Sequence, residues 1–399
     1  MRILFITDYL PYPVITGDRI RVYNLIRRIA KQHQVSLAGF LMTPEEADGV
    51  SHLQEFCYRV ETINLPRCHK LARMPSLLRY FLAGIPLDFE FLTSEELAYK
   101  ITQLARTENY DIVQIEHSRM ARYLDALPPN VHAKSLLVFH NIASSQYDRI
   151  SNIALTPTKR ARAWLHARML RRWEPLYAER FDRCITVSEE DRRLLMTANP
   201  RLQVDVVPNG VDTQIYQPLA LEETRPAVLL VGNMSYAPNA DGAIWFCSQI
   251  LPYIRRVLAN VQVWIVGTEP PREVIRLQGD GVHVTGRVED VVPYYRRTAV
   301  SVVPLRAGGG SRLKVLEAMA LGRPIVSTSI GCEGLNVVDN QHLLVADSPE
   351  LFSECVLSLL QDTGLYKRIT ANARRLVEEQ YGWEILAKHM LKTYEDLYQ

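Results

Sequence analysis

Short unbroken apolar runs alternate with amphipathic helical stretches along most of this 399-residue chain. Runs such as Ile3-Leu4-Phe5-Ile6-Thr7 and Leu136-Leu137-Val138-Phe139 lack polar alternation, so both faces of each strand should be buried. Strands buried on both faces belong to parallel sheets covered by helices, which are built from repeated strand–helix units. The runs fall at 3–7, 35–41, 60–65, 111–115, 136–139, 184–187 and 204–207. They resume at 228–231, 261–266, 282–285, 300–303, 324–327 and 343–345. Helical patterns occupy 19–31, with Asp18 placed to cap it, then 45–56, 71–82, 94–107 and 157–181. Others occupy 240–258, 271–278, 290–297 and the region from 349 to 398.

Between the two series lies the turn Pro208-Asn209-Gly210-Val211-Asp212, followed by polar residues 213–225. The expected organisation is an α/β chain of two doubly wound halves, 1–208 and 209–380, facing across a cleft. Residues 381–399 form a last helix expected to pack back on the first half. Hydrophobic residues make up 47% of the chain and charged ones 23%, which fits a soluble globular protein. A net charge of +2 excludes a strongly electrostatic nucleic-acid binder. The six cysteines show no metal-ligand spacing and read as reduced core thiols. The N-terminus does not read as a signal peptide, and no run approaches the ~20 apolar residues of a membrane span. The expected location is the cytoplasm, with peripheral contact at the inner face of the cell membrane.

One stretch carries the chemistry: Val303-Pro304-Leu305-Arg306-Ala307-Gly308-Gly309-Gly310-Ser311-Arg312-Leu313-Lys314-Val315-Leu316-Glu317. A strand end runs into three glycines, and Ser311 can cap the helix that follows, with Gly322 and Pro324 to end it. Arg312 and Lys314 lie in the first turn, where cations are disfavoured unless an anion such as a diphosphate joins them. Glu317 lies one turn on, within reach of a sugar hydroxyl. A plain glycine-rich turn with a solvated basic helix start stays open as the other reading. The stretch has neither dinucleotide-fingerprint nor P-loop spacing. In the first half, Glu116-His117 and His140-Asn141 follow strand ends, where ligands bind in open α/β sheets. The stretch 157–181 carries Lys159, Arg160, Arg162, Arg168, Arg171, Arg172 and Arg180 among Trp164, Leu165, Trp173 and Leu176. It fits either a core helix with a solvated basic face or a contact with anionic lipid head groups.

The opening MRILFITDYLPYP with GDRIR three residues on, the VPNGVD junction, GNMSYAPNADGAIWF and VPLRAGGGSRLKVLEAMALGRPIVST together resemble glycosyltransferase family 4. These are retaining, nucleotide-sugar-dependent enzymes of GT-B fold, two Rossmann-like domains. Within the family the likeness is to sugar transferases of bacterial exopolysaccharide clusters, including the exosortase-associated group. The resemblance implies that Glu317 is the second glutamate of the family's E-x7-E motif and binds the donor's ribose. The first glutamate falls at Gly309, so the motif is incomplete. The loop at 232–238 lacks the Arg and Lys that many members use on the diphosphate, and Arg312 and Lys314 are the substitutes. Gly17, Gly309, Gly310, Ser311 and Arg287 join Glu317 on the donor side. Glu116 and His140 join Arg312 and Lys314 as catalytic candidates. Arg21, His117 and Asn141 are assigned to the acceptor.

The implied reaction moves a sugar from a UDP- or GDP-type donor to an acceptor hydroxyl with retention, stabilising a leaving diphosphate. No metal and no other cofactor is expected, since the chain has no Asp-x-Asp pair. A lipid-linked or glycan acceptor and an anionic membrane surface are the implied partners. Two rivals share the sequence features: a nucleotide-sugar 2-epimerase, and a non-catalytic sugar- or lipid-binding member of a polysaccharide assembly.

Overall fold

In a computed structural model, residues 1–65, 84–153, 156–220, 226–309 and 312–398 are described. The helix expected at 71–82 therefore lies outside the described residues, as do Gly310 and Ser311. The chain forms two units. One comprises Met1–Asp148, Ala161–Pro208 and Trp383–Gln399, the other Arg149–Arg160 and Asn209–Gly382.

The first unit is built on seven parallel strands: β1 (Arg2–Thr7), β2 (Gln34–Leu41), β3 (Arg59–Asn64), β4 (Ile112–Glu116), β5 (Lys134–Phe139), β6 (Arg183–Thr186) and β7 (Val204–Val206). Their order is β3-β2-β1-β4-β5-β6-β7. Ile3, Leu4, Phe5 and Ile6 have no exposed surface, as their unbroken apolar character requires. The strand order reverses between β1 and β4, where Phe5 lies opposite Gln114. Past the ends of those two strands a ligand crevice opens in such sheets. Helix Gly17–Ile29 begins at Thr16 and Gly17, earlier than expected. Asp18 Oδ1 instead accepts from the Arg19 amide at 3.0 Å, inside the first turn. The C-terminal helix Trp383–Tyr398 packs against helix Gly17–Ile29 and buries Trp383, Leu386, Met390 and Tyr394. Each such apolar side chain contributes about 1.5–3 kcal/mol by leaving water.

The second unit repeats the plan with six parallel strands: β8 (Ala227–Val231), β9 (Gln262–Val266), β10 (Val282–Gly286), β11 (Val300–Val303), β12 (Ile325–Ser327) and β13 (Leu344–Val345). Their order is β10-β9-β8-β11-β12-β13, so the reversal falls between β8 and β11. The single helix expected at 240–258 is Ala237–Trp245, a π-turn at Phe246–Ile250, then Leu251–Val257. Pro252 lacks the amide an uninterrupted helix needs, and the π-turn absorbs the break. Helix Leu313–Ala320 follows β11 and ends at Gly322, whose φ of 68° only glycine adopts cheaply.

Two α-helices among the described residues, Ala143–Ile153 and Glu189–Ala198, were not expected from sequence. The first is polar and serine-rich, with little apolar periodicity to mark it. Ser188 caps the second by accepting from the Asp191 amide at 3.0 Å. The described cysteines Cys57, Cys184, Cys247, Cys332 and Cys355 are free thiols.

Candidate functional site

In the second unit the reversal between β8 and β11 gathers several elements. The backbone turns at Gly232 directly after β8 and at Gly267 directly after β9. A Cβ built at Gly267 would lie 1.6 Å from the Gly232 carbonyl oxygen, so no side chain fits there. Helix Leu313–Ala320 enters from the other side and sends Lys314 across to this turn. Its Nζ donates to Asn239 Oδ1 at 2.6 Å, and a Cβ at Gly232 would approach that nitrogen to 2.8 Å.

The three cations within the stretch 303–317 have different employment. Arg306 makes a two-pronged pair with Asp241, at 2.9 and 2.6 Å. Arg312, at the helix N-cap, folds back and donates to the Gly309 and Ile330 carbonyls, bracing the loop. Lys314 Nζ makes its one hydrogen bond among the described residues to the neutral amide of Asn239. Burial, and after it the Arg312 charge, pushes the Lys314 ammonium down to about 7. Glu317 lies three residues on along the same helix face. Burial pushes its carboxyl up to about 7, and Lys314 partly opposes this. The Glu317 side chain makes no hydrogen bond among the described residues. Tyr216 and Tyr295 feel its charge, which helps hold both phenols above their ordinary range after burial. Arg287 is exposed beyond Gly286, at the end of β10.

In the first unit, Asp8 and Tyr9 follow β1, and Glu116 and His117 end β4. A hydrogen-bonded chain runs behind them. Tyr394 on the C-terminal helix donates to Gln114 Oε1 at 2.5 Å, and Gln114 Nε2 donates to Glu116 Oε1 at 2.5 Å. Glu116 Oε2 meets His140 Nε2 at 2.6 Å. The Gln114 amide has one orientation that serves both neighbours, so Glu116 is an acceptor and His140 carries its proton on Nε2. His140 stacks on His117 with ring centroids 3.9 Å apart. Tyr9 Oη lies 2.9 Å from His117 Nε2.

His117 has φ 69°, unusual for any residue but glycine, and costs about 1–3 kcal/mol of backbone strain. Burial, then the charges of His140, Arg119 and Arg21, hold its imidazole far below the usual range, hence neutral. Asp8, paired with Arg119, is pushed up to about 6 by burial despite that partner. A cavity of about 300 Å³ opens beside these groups. His117, His140 and Asn141 line it together with Asp18, Arg119, Tyr147 and His166.

Two sequence assignments change. Arg21 does not face the cavity. It is fully buried, donates to the Pro208 carbonyl at 2.6 Å, and balances Glu116 and Tyr394 from behind. Glu116 also stands behind the wall, 1% exposed, and orients His140. Gly17 begins helix Gly17–Ile29 in the first unit, and Gly309 accepts from Arg312 in the second. Sequence reasoning overlooked Asp8, Tyr9, Asp18 and Asn239. Asp8 and Tyr9 follow a strand end directly, a signal applied to Glu116 and His140 but not to them.

The family described as "Glycosyltransferase Family 4" matches residues 16–215, which is 200 of the 399 residues. The chain belongs to glycosyltransferase family 4. A second family of the same kind, described as "Glycosyl transferases group 1", matches residues 225–362. Among family relatives, an uncharacterized 44.6 kDa protein in the cps region of Klebsiella pneumoniae is 26% identical over 163 residues, 39% of this chain and 42% of that protein. An uncharacterized glycosyltransferase of Methanocaldococcus jannaschii is 29% identical over 111 residues, 27% of this chain and 31% of its own. The chain thus spans less than half the length of these first relatives. Mycobacterium tuberculosis glycogen synthase is 26% identical across 67% of this chain and 68% of its own. Sucrose-phosphate synthase from Thermosynechococcus elongatus superposes with a TM-score of 0.75 at 18% identity, over 100% of this chain and 99% of that one. Anabaena HepE in complex with UDP and glucose gives 0.70 at 14%, over 99% of both chains. These likenesses establish the GT-B fold, two Rossmann-like units, for this member of the family.

Proposed function

We propose that this chain transfers a sugar, with retention of anomeric configuration, from a nucleotide-diphosphate donor bound by the second unit to an acceptor hydroxyl bound by the first. The observation that carries this reading is the pairing of Lys314 and Glu317 on one helix face at the β8/β11 reversal. The one hydrogen bond of Lys314 Nζ among the described residues goes to a neutral amide, and the Glu317 carboxyl group has no hydrogen-bond partner among them. A diphosphate answers the first and a ribose diol the second. The structural likeness to HepE in complex with UDP favours a uridine donor. As the sugar–oxygen bond breaks, negative charge grows on the diphosphate, and Lys314 and the helix N-terminus stabilise it. Arg312 contributes by holding the loop and by its charge. No metal is called on for that task.

The acceptor is a lipid-linked or glycan intermediate of cell-surface polysaccharide synthesis, a role favoured by the relative in the Klebsiella cps region. Helix Pro157–Ala178 turns Ala163, His166, Leu170 and Trp173 inward and leaves Trp164, Leu165 and most of its arginines outward. Its outer face suits an anionic membrane surface. No described helix is long and apolar enough to cross a membrane.

A thermal-shift screen against UDP-, GDP- and ADP-sugars, followed by slow donor hydrolysis without acceptor, tests the reading. Donor-specific stabilisation and release of free sugar are expected. A failure of every nucleotide sugar to bind would remove the reading, and an epimerised donor would reassign the chain to the 2-epimerases.

A further inference from the structure

The cavity in the first unit reveals the chemistry of its occupant, an inference that deepens the transfer reading and rests on it. The fixed charges around the cavity are already matched. Arg119 is paired with Asp8, and His140 with Glu116. The first amides of helix Ala143–Ile153, which would otherwise attract an anion, are taken by Glu174. Its carboxylate accepts from the Ala143 and Ser144 amides, each at 3.0 Å. What remains is a carboxylate. Burial pushes the Asp18 carboxyl up, but hydrogen bonds from Thr16 and Tyr9, then the charges of His140 and of the Arg119 it shares with Asp8, hold it below its ordinary value, so it stays ionised. An anionic ligand would meet this charge with no unspent fixed cation to offset it. A polyol would pair its hydroxyls with Asp18 and Asn141 instead.

The remaining wall suits a sugar ring. Tyr147 and His166 meet edge to face with centroids 4.4 Å apart, and Phe89 and Leu170 line the cavity near them. Such a surface packs against the C–H face of a pyranose. At about 300 Å³ the cavity lies at the lower end of the ~300–1,000 Å³ typical of ligand sites, room for one ring.

We propose that this cavity is the acceptor subsite for one uncharged pyranose ring, the terminal sugar of an existing glycoside. A bare phosphate, a lipid phosphate or a uronate is excluded. The reaction that supplies the acceptor is then itself a glycosyl transfer, and this chain extends a saccharide chain.

Saturation-transfer NMR on the full chain tests this with methyl glycosides of glucose, galactose and mannose. Methyl glucuronide, glucose 6-phosphate and inorganic phosphate serve as charged competitors. At least one neutral glycoside should bind, with UDP present or absent, and the charged probes should not displace it. Asp18→Asn and Tyr147→Ala should each weaken that binding by about tenfold or more. Thermal unfolding and nucleotide affinity, measured on the same samples, should stay near wild type. Preference for a charged probe would overturn the proposal, as would neutral binding that both variants leave intact. Displacement by a UDP-sugar but not by UDP would assign the ring to the donor and overturn it too. Nucleotide binding without glycoside binding sinks the subsite alone, whereas absence of both takes the transfer reading with it.

Discussion

Lys314 Nζ donates to Asn239 Oδ1 at 2.6 Å, joining two residues 75 positions apart in the chain. One begins the glycine-loop helix and the other lies in the first helix after β8. The bond places an ammonium against a neutral amide and beside Gly232, where no side chain crowds it. Charge delivered there is available to a ligand.

That arrangement predicts the pH dependence of donor binding. A diphosphate needs Lys314 protonated, and a ribose diol needs Glu317 ionised, yet burial brings both groups to about 7 in the free protein. Above pH 7 binding must take up a proton at Lys314. Below pH 7 it must release one from Glu317. Affinity for a UDP-sugar, whose diphosphate diester does not titrate here, should peak near pH 7. It should fall by up to about tenfold per unit on each side. Lys314→Met should abolish the alkaline limb and Glu317→Gln the acid limb. Each variant should weaken binding more than about tenfold, since a charge-assisted hydrogen bond contributes about 1.5–3 kcal/mol. Calorimetry across pH 5.5–9 decides it (a range of about three and a half units around the shifted values). A flat profile in wild type would remove both residues from the donor site.

The turn beneath Lys314 predicts a stability defect. A Cβ at Gly267 would lie 1.6 Å from the Gly232 carbonyl oxygen, a backbone atom with nowhere to go. Overpacking of this kind costs about 1–3 kcal/mol and more where backbone must move. Gly267→Ala should lower the melting temperature of the second unit and weaken nucleotide binding together. Wild-type values for both would show that the two loops are farther apart than this geometry has them.

The parallel strands were legible in sequence because burial on both faces leaves a mark that needs no partner to be read. Val228 to Val231 is apolar whatever lies beside it. Lys314 and Glu317 were legible for a related reason, since helix geometry alone puts them on one face. Asn239 was not, because an amide carries no periodic signal and its partner lies 75 residues away. The same holds for Tyr394, which orients Gln114 across 280 residues. Arg21 misled in the opposite direction. It was assigned to the acceptor, and only the fold shows it buried behind Glu116. Helix Ala143–Ile153 was missed because its N-terminus is capped from a distant residue, Glu174, not by a local Ser or Asp.

The outer face of helix Pro157–Ala178 predicts lipid binding. Trp164 is 54% exposed and Leu165 40%, with Arg168 over the Trp164 ring. Basic and aromatic side chains in this arrangement dock on anionic head groups, each nearby cation adding about 1 kcal/mol that salt screens. The chain should bind vesicles containing anionic lipid, release them at high salt, and ignore neutral vesicles. A combined Arg162→Gln, Arg168→Gln, Arg172→Gln and Trp164→Ala variant should lose this binding while keeping its melting temperature. Salt-insensitive or absent vesicle binding by wild type would leave a solvated face.

The final prediction concerns the glycine loop, where the resemblance to the family puts Gly309 in the place expected of the first glutamate. The left-handed backbone falls one residue earlier, on Gly308 at φ 132°, where a Cβ would also lie 2.9 Å from Arg312 Nη2. Gly308→Ala should therefore cost about 1 kcal/mol or more in strain and disturb the Arg312 brace. Gly309 is not among the positive-φ glycines, so Gly309→Ala carries no left-handed strain and serves as the control. With no side chain at 309, recognition of the donor sugar there is expected to use backbone donors, which suit a carboxylate or an acetamido carbonyl. It also lacks a carboxylate that would repel an acidic sugar. A UDP-uronic acid or N-acetylated sugar is the expected donor class. Gly309→Glu should lose transfer activity well beyond Gly309→Ala, with the loss greatest on an acidic donor. Steady-state rates for both variants across UDP-glucose, UDP-glucuronic acid and UDP-N-acetylglucosamine measure this. Equal or higher activity of Gly309→Glu on the preferred donor would show that backbone recognition at this loop is not what selects the sugar.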